Sequence, residues 1–276
     1  MLDDEYISET LLYKEEILAQ NLQNTGSALV AFSGGVDSTF LLYSALKNLG
    51  RDMVLAVTVK SPLVTDYEVE YAAALTQKLR SKHIILPLDL LSIEEVKYNS
   101  AERCYCCKKN IYNQLLRLAD ERGYNTVLDG SNADDPSFYR PGLKALKELD
   151  IESPLYTAGL SKSEVRLLSK KASLPTWDKA AASCLASRFP YEEELVAEQL
   201  NKVAAAEAYL QQLGINRELR VRCHGDLARI EVLPEELEII TENRQGIVKR
   251  LRKLGFYHIT LDLCGFQSGN MDQKHN

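Results

Sequence analysis

Apolar residues recur at helical spacing over residues 8–24, and the chain then turns to a short apolar run, Ala28-Leu29-Val30-Ala31-Phe32, that ends at Ser33-Gly34-Gly35. A run of that length bounded by glycines predicts a buried strand. The alternation then repeats. Helical spacing covers 37–49, an apolar run 53–59, helical spacing 66–80, a run 83–90, helical spacing 107–122 and a run 126–130. Strands that alternate with helices imply right-handed crossovers and a parallel sheet with helices on both faces, an α/β fold. One more helix is predicted over 162–173, with Ser161 as its N-cap and Glu164 placed to close a capping box.

The pattern lapses over 174–192, a stretch with two prolines and one cysteine. It is read as a functional loop and as the end of a first domain, 1–192. Residues 193–276 follow a different order: a helix over 193–213, a hairpin of strands at 219–225 and 228–233, one helix over 235–254 and a last strand at 257–263. That describes a smaller α+β domain. No internal repeat and no low-complexity segment interrupts either part.

Composition narrows the class. The 276 residues are 45% hydrophobic and 26% charged, the balance of a globular protein. No run of about 18 apolar residues suggests a membrane-spanning helix. The first residues are acidic and lack the apolar core of a signal peptide, so no membrane partner and a cytoplasmic location are expected. The formal net charge of −6 argues against general nucleic-acid binding, which needs clustered Lys and Arg. In that compartment the six cysteines are expected to be reduced.

The strongest local chemistry is Ser33-Gly34-Gly35-Val36-Asp37-Ser38, between the first strand and its helix. Adjacent glycines let the backbone turn with positive φ and approach a ligand closely. Successive N–H groups then form an anion nest, and the helix N-terminus adds its positive end. Ser33 and Ser38 supply hydroxyls. Asp37 would repel bare phosphate, so it is read as a magnesium ligand, a helix cap, or both. No Gly-Lys-[Ser/Thr] closes a Walker loop, and no GxGxxG fingerprint is present. The segment resembles the signature of PP-loop ATP pyrophosphatases, which cleave ATP between the α- and β-phosphates and adenylate a substrate oxygen.

Three further segments narrow the resemblance. They are Val127-Leu128-Asp129-Gly130 with Tyr139-Arg140-Pro141-Gly142-Leu143-Lys144, Ser183-Cys184 with Ser187-Arg188-Phe189-Pro190-Tyr191, and Leu261-Asp262-Leu263 with Gly265-Phe266 and Ser268-Gly269. Together with the loop they span nearly the whole chain and are similar to the LarE family, the sulfur-inserting enzymes of the nickel-pincer nucleotide cofactor of lactate racemase. The resemblance implies a PP-loop domain with a smaller C-terminal domain, a homohexamer, and pyridinium-3,5-biscarboxylate mononucleotide as the substrate whose carboxylates become thiocarboxylates. It makes Cys184 the catalytic thiol. A thiolate can attack an adenylated carboxylate, and Lys179 and Arg188, near Cys184 in sequence, can favour its ionised form. In single-cysteine members of the family the equivalent residue gives up its own sulfur.

This chain departs from those members at Cys104-Tyr105-Cys106-Cys107. With Cys184, Cys104 and Cys107 make three thiolates, similar to the LarE variants that hold a [4Fe–4S] cluster on three irons and bind hydrosulfide at the fourth. Sacrifice of Cys184 stays open as the other route, and so does a zinc site completed by Cys106 or His224. Cys223 and Cys264 fall on predicted strands and are read as core.

Several other residues follow from position. Asp129, Asp134 and Asp135 lie beyond the C-terminal end of a predicted strand, where ligands bind in open parallel sheets. With Asn132 they are candidates for the pyrophosphate and its magnesium, with Asp134 as a ligand, or for a solvated acidic turn. Ser61, at the end of the second strand, is a candidate contact for adenosine. Arg220 and Arg222 alternate on one strand face and can reach one phosphate. By resemblance they join Arg188 and Glu207 at the substrate nucleotide, and Glu231 and Glu235 are weaker metal candidates. Trp177 can stack on a ring or simply pack. A tRNA thiolation enzyme, an amidotransferase-type ligase and an ATP-sensing module are the competing functions.

Overall fold

The computed structural model describes residues 8–135, 141–180, 183–215 and 218–267. Tyr139, Arg140, Ser268 and Gly269 lie outside them. The chain forms two compact units, one of Met1–Ser61, Asp66–Leu88 and Cys104–Ala181, the other of Pro62–Thr65, Asp89–Arg103 and Ala182–Asn276. The second unit therefore gathers two short segments from within the first half of the sequence as well as the C-terminal region.

In the first unit α1 (Glu9–Thr25) precedes β1 (Ala28–Ala31), α2 (Val36–Leu49), β2 (Val54–Lys60), α3 (Asp66–Leu79) and β3 (Lys82–Pro87). After α4 (Glu94–Lys97), which belongs to the second unit, come α5 (Arg103–Arg122), β4 (Thr126–Leu128), α6 (Gly142–Glu148), α7 (Pro154–Thr157) and α8 (Lys162–Lys171). The strands form one parallel sheet in the order β3-β2-β1-β4. The α/β reading of the sequence is thereby met.

Alternation along β1 explains why both faces are covered. Leu29 points into a cluster with Leu55, Val57, Tyr112 and Leu115, while Val30 points to the opposite side, among Leu18, Phe40, Leu155 and Leu168. Strand order reverses at β1: β2 lies on one flank and β4 on the other. In an open parallel sheet this switch point leaves a crevice beyond the carboxyl ends of the two central strands. The glycine loop after β1 and the acidic segment after β4 both open into it.

The second unit contains α9 (Ala197–Gln212), β5 (Arg220–His224), β6 (Leu227–Glu231), α10 (Leu237–Glu242), α11 (Arg244–Lys253) and β7 (His258–Leu261). β5 and β6 form an antiparallel hairpin, and β7 joins β6 in parallel. The two-residue hairpin loop needs positive φ, which Gly225 provides at 64°.

Helix boundaries and the placement of one cysteine depart from the sequence expectations. The helix expected over 107–122 begins at Arg103, so Cys104, Cys106 and Cys107 ride its first turns. The single helix expected over 235–254 breaks at Asn243, whose side-chain amide donates to the Ile239 carbonyl at 2.9 Å and competes with the helical ladder. Cys264 is not in the core. It is exposed, in a turn after β7 where Asp262 accepts its backbone N–H at 2.9 Å. Cys223, on β5, is buried as expected.

Candidate active site

The phosphate loop is built from its own hydroxyls and glycines. Ser33 and Ser38 hydroxyls lie 3.1 Å apart, Ser38 Oγ accepts from Ser33 N at 3.3 Å, and Ser33 Oγ accepts from Gly35 N at 3.3 Å. Gly34 has φ +70°, and a Cβ there would stand 3.2 Å from Ala72 Cβ of α3. Helix α2 starts at Gly35 without a side-chain cap. Its first amides have no intrahelical partner, so they suit an anion.

Gly130 adds a requirement that the sequence reading missed. A Cβ on it would meet Ser38 N at 3.1 Å and Ser38 Cα at 3.3 Å, so the segment after β4 can press against the start of α2 only without a side chain. The signal was the Asp129-Gly130 dipeptide directly after a strand.

The acidic segment is ordered by its own carboxylates. Asp129, 7% exposed, accepts from the hydroxyls of Tyr112 and Ser131 and from Ser131 N at 2.8 Å. The buried Tyr112 phenol is pushed well above its ordinary pKa, by desolvation first and then by the Asp129 charge, so it stays a donor. Asp134 accepts from Lys162 N at 2.8 Å and so holds the start of α8. Asp135 accepts from Asn132 N at 3.0 Å. In this arrangement Asp129, Asp134 and Asp135 shape the crevice.

Asp37 is the carboxylate at the loop itself. It accepts from the ammonium of Lys162, and its other oxygen accepts from Asn132 Nδ2 at 3.3 Å. Lys162 is a second residue missed from sequence; its signal was its place at the first turn of a capped helix. Lys179, read from sequence as a neighbour of Cys184, lies at the phosphate loop, with Nζ 3.0 Å from the Gly34 carbonyl. Ser61 is buried just beyond the C-terminal end of β2. Trp177 is exposed and has Lys170 over its ring at 5.3 Å.

On α5, Cys104 and Cys107 are one turn apart and share a face, whereas Cys106 lies across the helix from Cys104. Lys108, which follows Cys107, aims its ammonium at Asp129 across 3.9 Å. Among the described residues, no three His, Cys, Asp or Glu side chains stand together as a metal-ligand group.

In the second unit the exposed Cys184 opens a short 3-10 turn, Leu185–Arg188. Its carbonyl accepts from Ser187 N at 3.0 Å, Ser187 Oγ at 2.8 Å and Arg188 Nη1 at 3.2 Å. Arg188 also grips the Ser183 carbonyl at 2.9 Å and pairs with Glu207 through two bonds of 2.9 Å. Glu207 in turn accepts from Val221 N at 2.9 Å, which anchors the cysteine turn to β5. Asn99, fully buried with φ 52°, donates to the carbonyls of Phe189 at 3.1 Å and Pro190 at 2.6 Å and accepts from Arg103. Nothing in the sequence reading pointed to Asn99.

Arg222 is buried and engaged by Glu231 at 2.8 Å and by the Ser187 carbonyl at 2.7 Å. Glu231 is fully buried and also takes Arg229 at 3.1 Å. Arg220 lies over the Phe266 ring at 5.0 Å. Burial first, and then repulsion from Arg188 and Arg222, lowers its pKa. Arg220 also pairs with Glu218 at 3.5 Å and Arg229 with Asp262 at 3.5 Å, so each of these guanidinium groups has a carboxylate partner.

A glycine nest at a switch point, an uncapped helix start and an Asp–Lys pair at its mouth define an ATP-binding α/β enzyme of the PP-loop type. The comparisons with known proteins agree. The family model described as Queuosine biosynthesis protein QueC matches residues 27–194. The pyridinium-3,5-bisthiocarboxylic acid mononucleotide synthase of Lactiplantibacillus plantarum is 40% identical over 263 residues, 95% of each chain. An uncharacterized protein of Synechocystis sp. is 41% identical over 262 residues, 94% of this chain and 97% of its own. An uncharacterized protein of Methanocaldococcus jannaschii is 30% identical over 240 residues, 87% of this chain and 90% of its own. The chain belongs to the LarE family of PP-loop ATP pyrophosphatases, and it is an ATP-dependent sulfurtransferase.

Proposed function

We propose that the protein adenylates a carboxylate of pyridinium-3,5-biscarboxylate mononucleotide and replaces one of its oxygens with sulfur, in biosynthesis of the nickel-pincer nucleotide. The observation that carries this reading is the pairing of an ATP-type phosphate loop with a cysteine turn fixed by Arg188 and Glu207, in a chain that matches the Lactiplantibacillus synthase along 95% of its length.

A carboxylate oxygen attacks the α-phosphorus of ATP, and the bond to the bridging oxygen breaks to release pyrophosphate. The resulting acyl adenylate has a good leaving group. A sulfur nucleophile then attacks the acyl carbon, and AMP departs with the former carboxylate oxygen. The amides of α2 and the hydroxyls of Ser33 and Ser38 hold the phosphates, with Ser61 beside the adenosine. Asp37 and Asp134 would hold magnesium, which would offset the charge of the phosphates. Arg220 and Arg222 hold the phosphate of the substrate mononucleotide, and Arg188 with Glu207 orients Cys184. The assembly is a homohexamer of small-molecule enzymes without a nucleic-acid or membrane partner, in the cytoplasm.

The reading of Cys104, Cys107 and Cys184 as the ligands of a [4Fe–4S] cluster with one iron left without a protein ligand is supported by the resemblance to the three-cysteine members of the family. Cys104 and Cys107 share one face of α5, and Cys184 is exposed at the start of its 3-10 turn. Such a cluster would hold external hydrosulfide at its fourth iron as the nucleophile for the acyl carbon, and Cys184 would survive turnover. Iron and acid-labile sulfide content after anaerobic purification tests this. About four of each per chain, lost in Cys104→Ala, is the expected result. Neither iron nor sulfide after reconstitution, together with a mass loss of one H₂S from the protein after turnover, would establish Cys184 as the consumed donor.

A further inference from the structure

Two lysines stand at the phosphate loop, and they differ in charge balance. Lys162 is neutralised by Asp37. Lys179 is half-buried, and among the described residues no carboxylate lies within ion-pair distance of it. Its ammonium donates to the Gly34 carbonyl at 3.0 Å and stands 4.1 Å from the centroid of the Tyr71 ring. Desolvation lowers its pKa, against a weaker upward pull from Glu68. A half-buried cation without an anion is costly, so its position calls for a reason.

The surrounding structure holds it there. Arg166 donates to the carbonyls of Trp177 at 2.7 Å and Lys179 at 2.8 Å, which fixes the backbone from which the side chain reaches. Gly34 packs directly on Ala72 of α3, beside the Tyr71 ring that the lysine covers, so loop and lysine meet the same helix. The Gly34 carbonyl and the Gly35 N–H are two ends of one peptide. An ammonium bound to the first polarises the second, whose N–H donates to the loop hydroxyl of Ser33 at 3.3 Å. The ammonium also places a full positive charge one peptide away from the loop.

We propose that Lys179 is the residue that makes this site prefer a triphosphate to a monophosphate, by supplying the countercharge for the β- and γ-phosphates of ATP. The inference rests on the nucleotide-site reading above. It assigns Lys179 to ATP selection, where sequence proximity alone had assigned it to Cys184. The residue lies outside the SGGVDS segment, in the loop after α8.

The test is calorimetric binding of ATP and of AMP to the full-length protein, with wild type, Lys179→Met and Lys179→Arg compared. Loss of one charge-assisted contact weakens ATP about tenfold or more in Lys179→Met. AMP affinity is expected to stay within about twofold, because the β- and γ-phosphates are absent from it. Lys179→Arg keeps the charge and restores most of the preference. Added salt should shrink the ATP-to-AMP ratio of wild type and leave that of Lys179→Met nearly unchanged. Equal weakening of ATP and AMP would overturn the proposal and reduce Lys179 to a prop for the loop. Unchanged ATP affinity in Lys179→Met would overturn it as well, while leaving the nucleotide site intact. A wild-type protein that binds neither nucleotide would overturn the site itself.

Discussion

Arg188 shows how much a single side chain can settle. Its guanidinium is buried, forms a two-bond pair with Glu207 and grips the carbonyls of Ser183 and Cys184. Removing one partner of a buried pair leaves the other charge uncompensated. Arg188→Met is therefore expected to cost about 3 kcal/mol in urea unfolding and to disorder the cysteine turn. Cys184→Ala removes an exposed thiol and little packing. It should leave pyrophosphate release near the wild-type rate while abolishing thiocarboxylate formation; transfer that survives would make Cys184 structural only. The importance of Cys184 was legible in its local context, Ser-Cys-x-x-Ser-Arg-Phe-Pro-Tyr. The pairing of Arg188 with Glu207 was not, since a contact across 19 residues leaves no periodic trace. Asn99 was invisible for the same reason: three carbonyls some ninety residues away give it its role.

The strands of the first unit and the helices α1, α2, α3 and α8 were readable because buried parallel strands are short apolar runs and longer helices keep a strict period, whereas the short α6 and α7 were not. The breaks were less readable. Asn243 splits a helix through a side-chain bond that pattern alone does not show, and the first turn of α5 is polar enough to hide its start. Two predictions belong here. Gly130→Ala drives a Cβ against the backbone of Ser38, which no side-chain motion relieves. It should cost about 1–3 kcal/mol and weaken ATP binding about tenfold, measured by unfolding and by calorimetry. The capping box of α8 is the second case. Burial works against the Glu164 carboxylate, but donors from Lys14 and Ser161 outweigh it and hold its pKa below the ordinary value. The unfolded chain therefore binds that proton more readily. The stabilisation is complete above the ordinary glutamate pKa of about 4.3 and disappears as pH falls through the lowered value. Glu164→Gln should flatten that part of the acid unfolding profile, and an unchanged profile would remove Glu164 from it.

At the scale of the whole molecule, the chain assigns its two chemistries to separate compact units. The phosphate loop, Asp37, Lys162 and Lys179 are in the first, and Cys184, Arg188, Glu207, Arg220 and Arg222 are in the second. The sequence drew this division at a single point, 192, because a composition shift marks it. The second unit also takes Pro62–Thr65 and Asp89–Arg103, held by backbone bonds such as Leu185 N to the Leu63 carbonyl at 3.0 Å and Leu195 N to the Lys97 carbonyl at 2.6 Å. Two short segments inside an alternating pattern look like ordinary connections until their partners are known.

Pyrophosphate release from ATP in the presence of pyridinium-3,5-biscarboxylate mononucleotide tests adenylation most directly. The expected result is pyrophosphate and AMP in equal amounts, formed only with that substrate and abolished in Asp37→Ala and Ser38→Ala. Release of ADP and phosphate instead, or full activity in either variant, would contradict it.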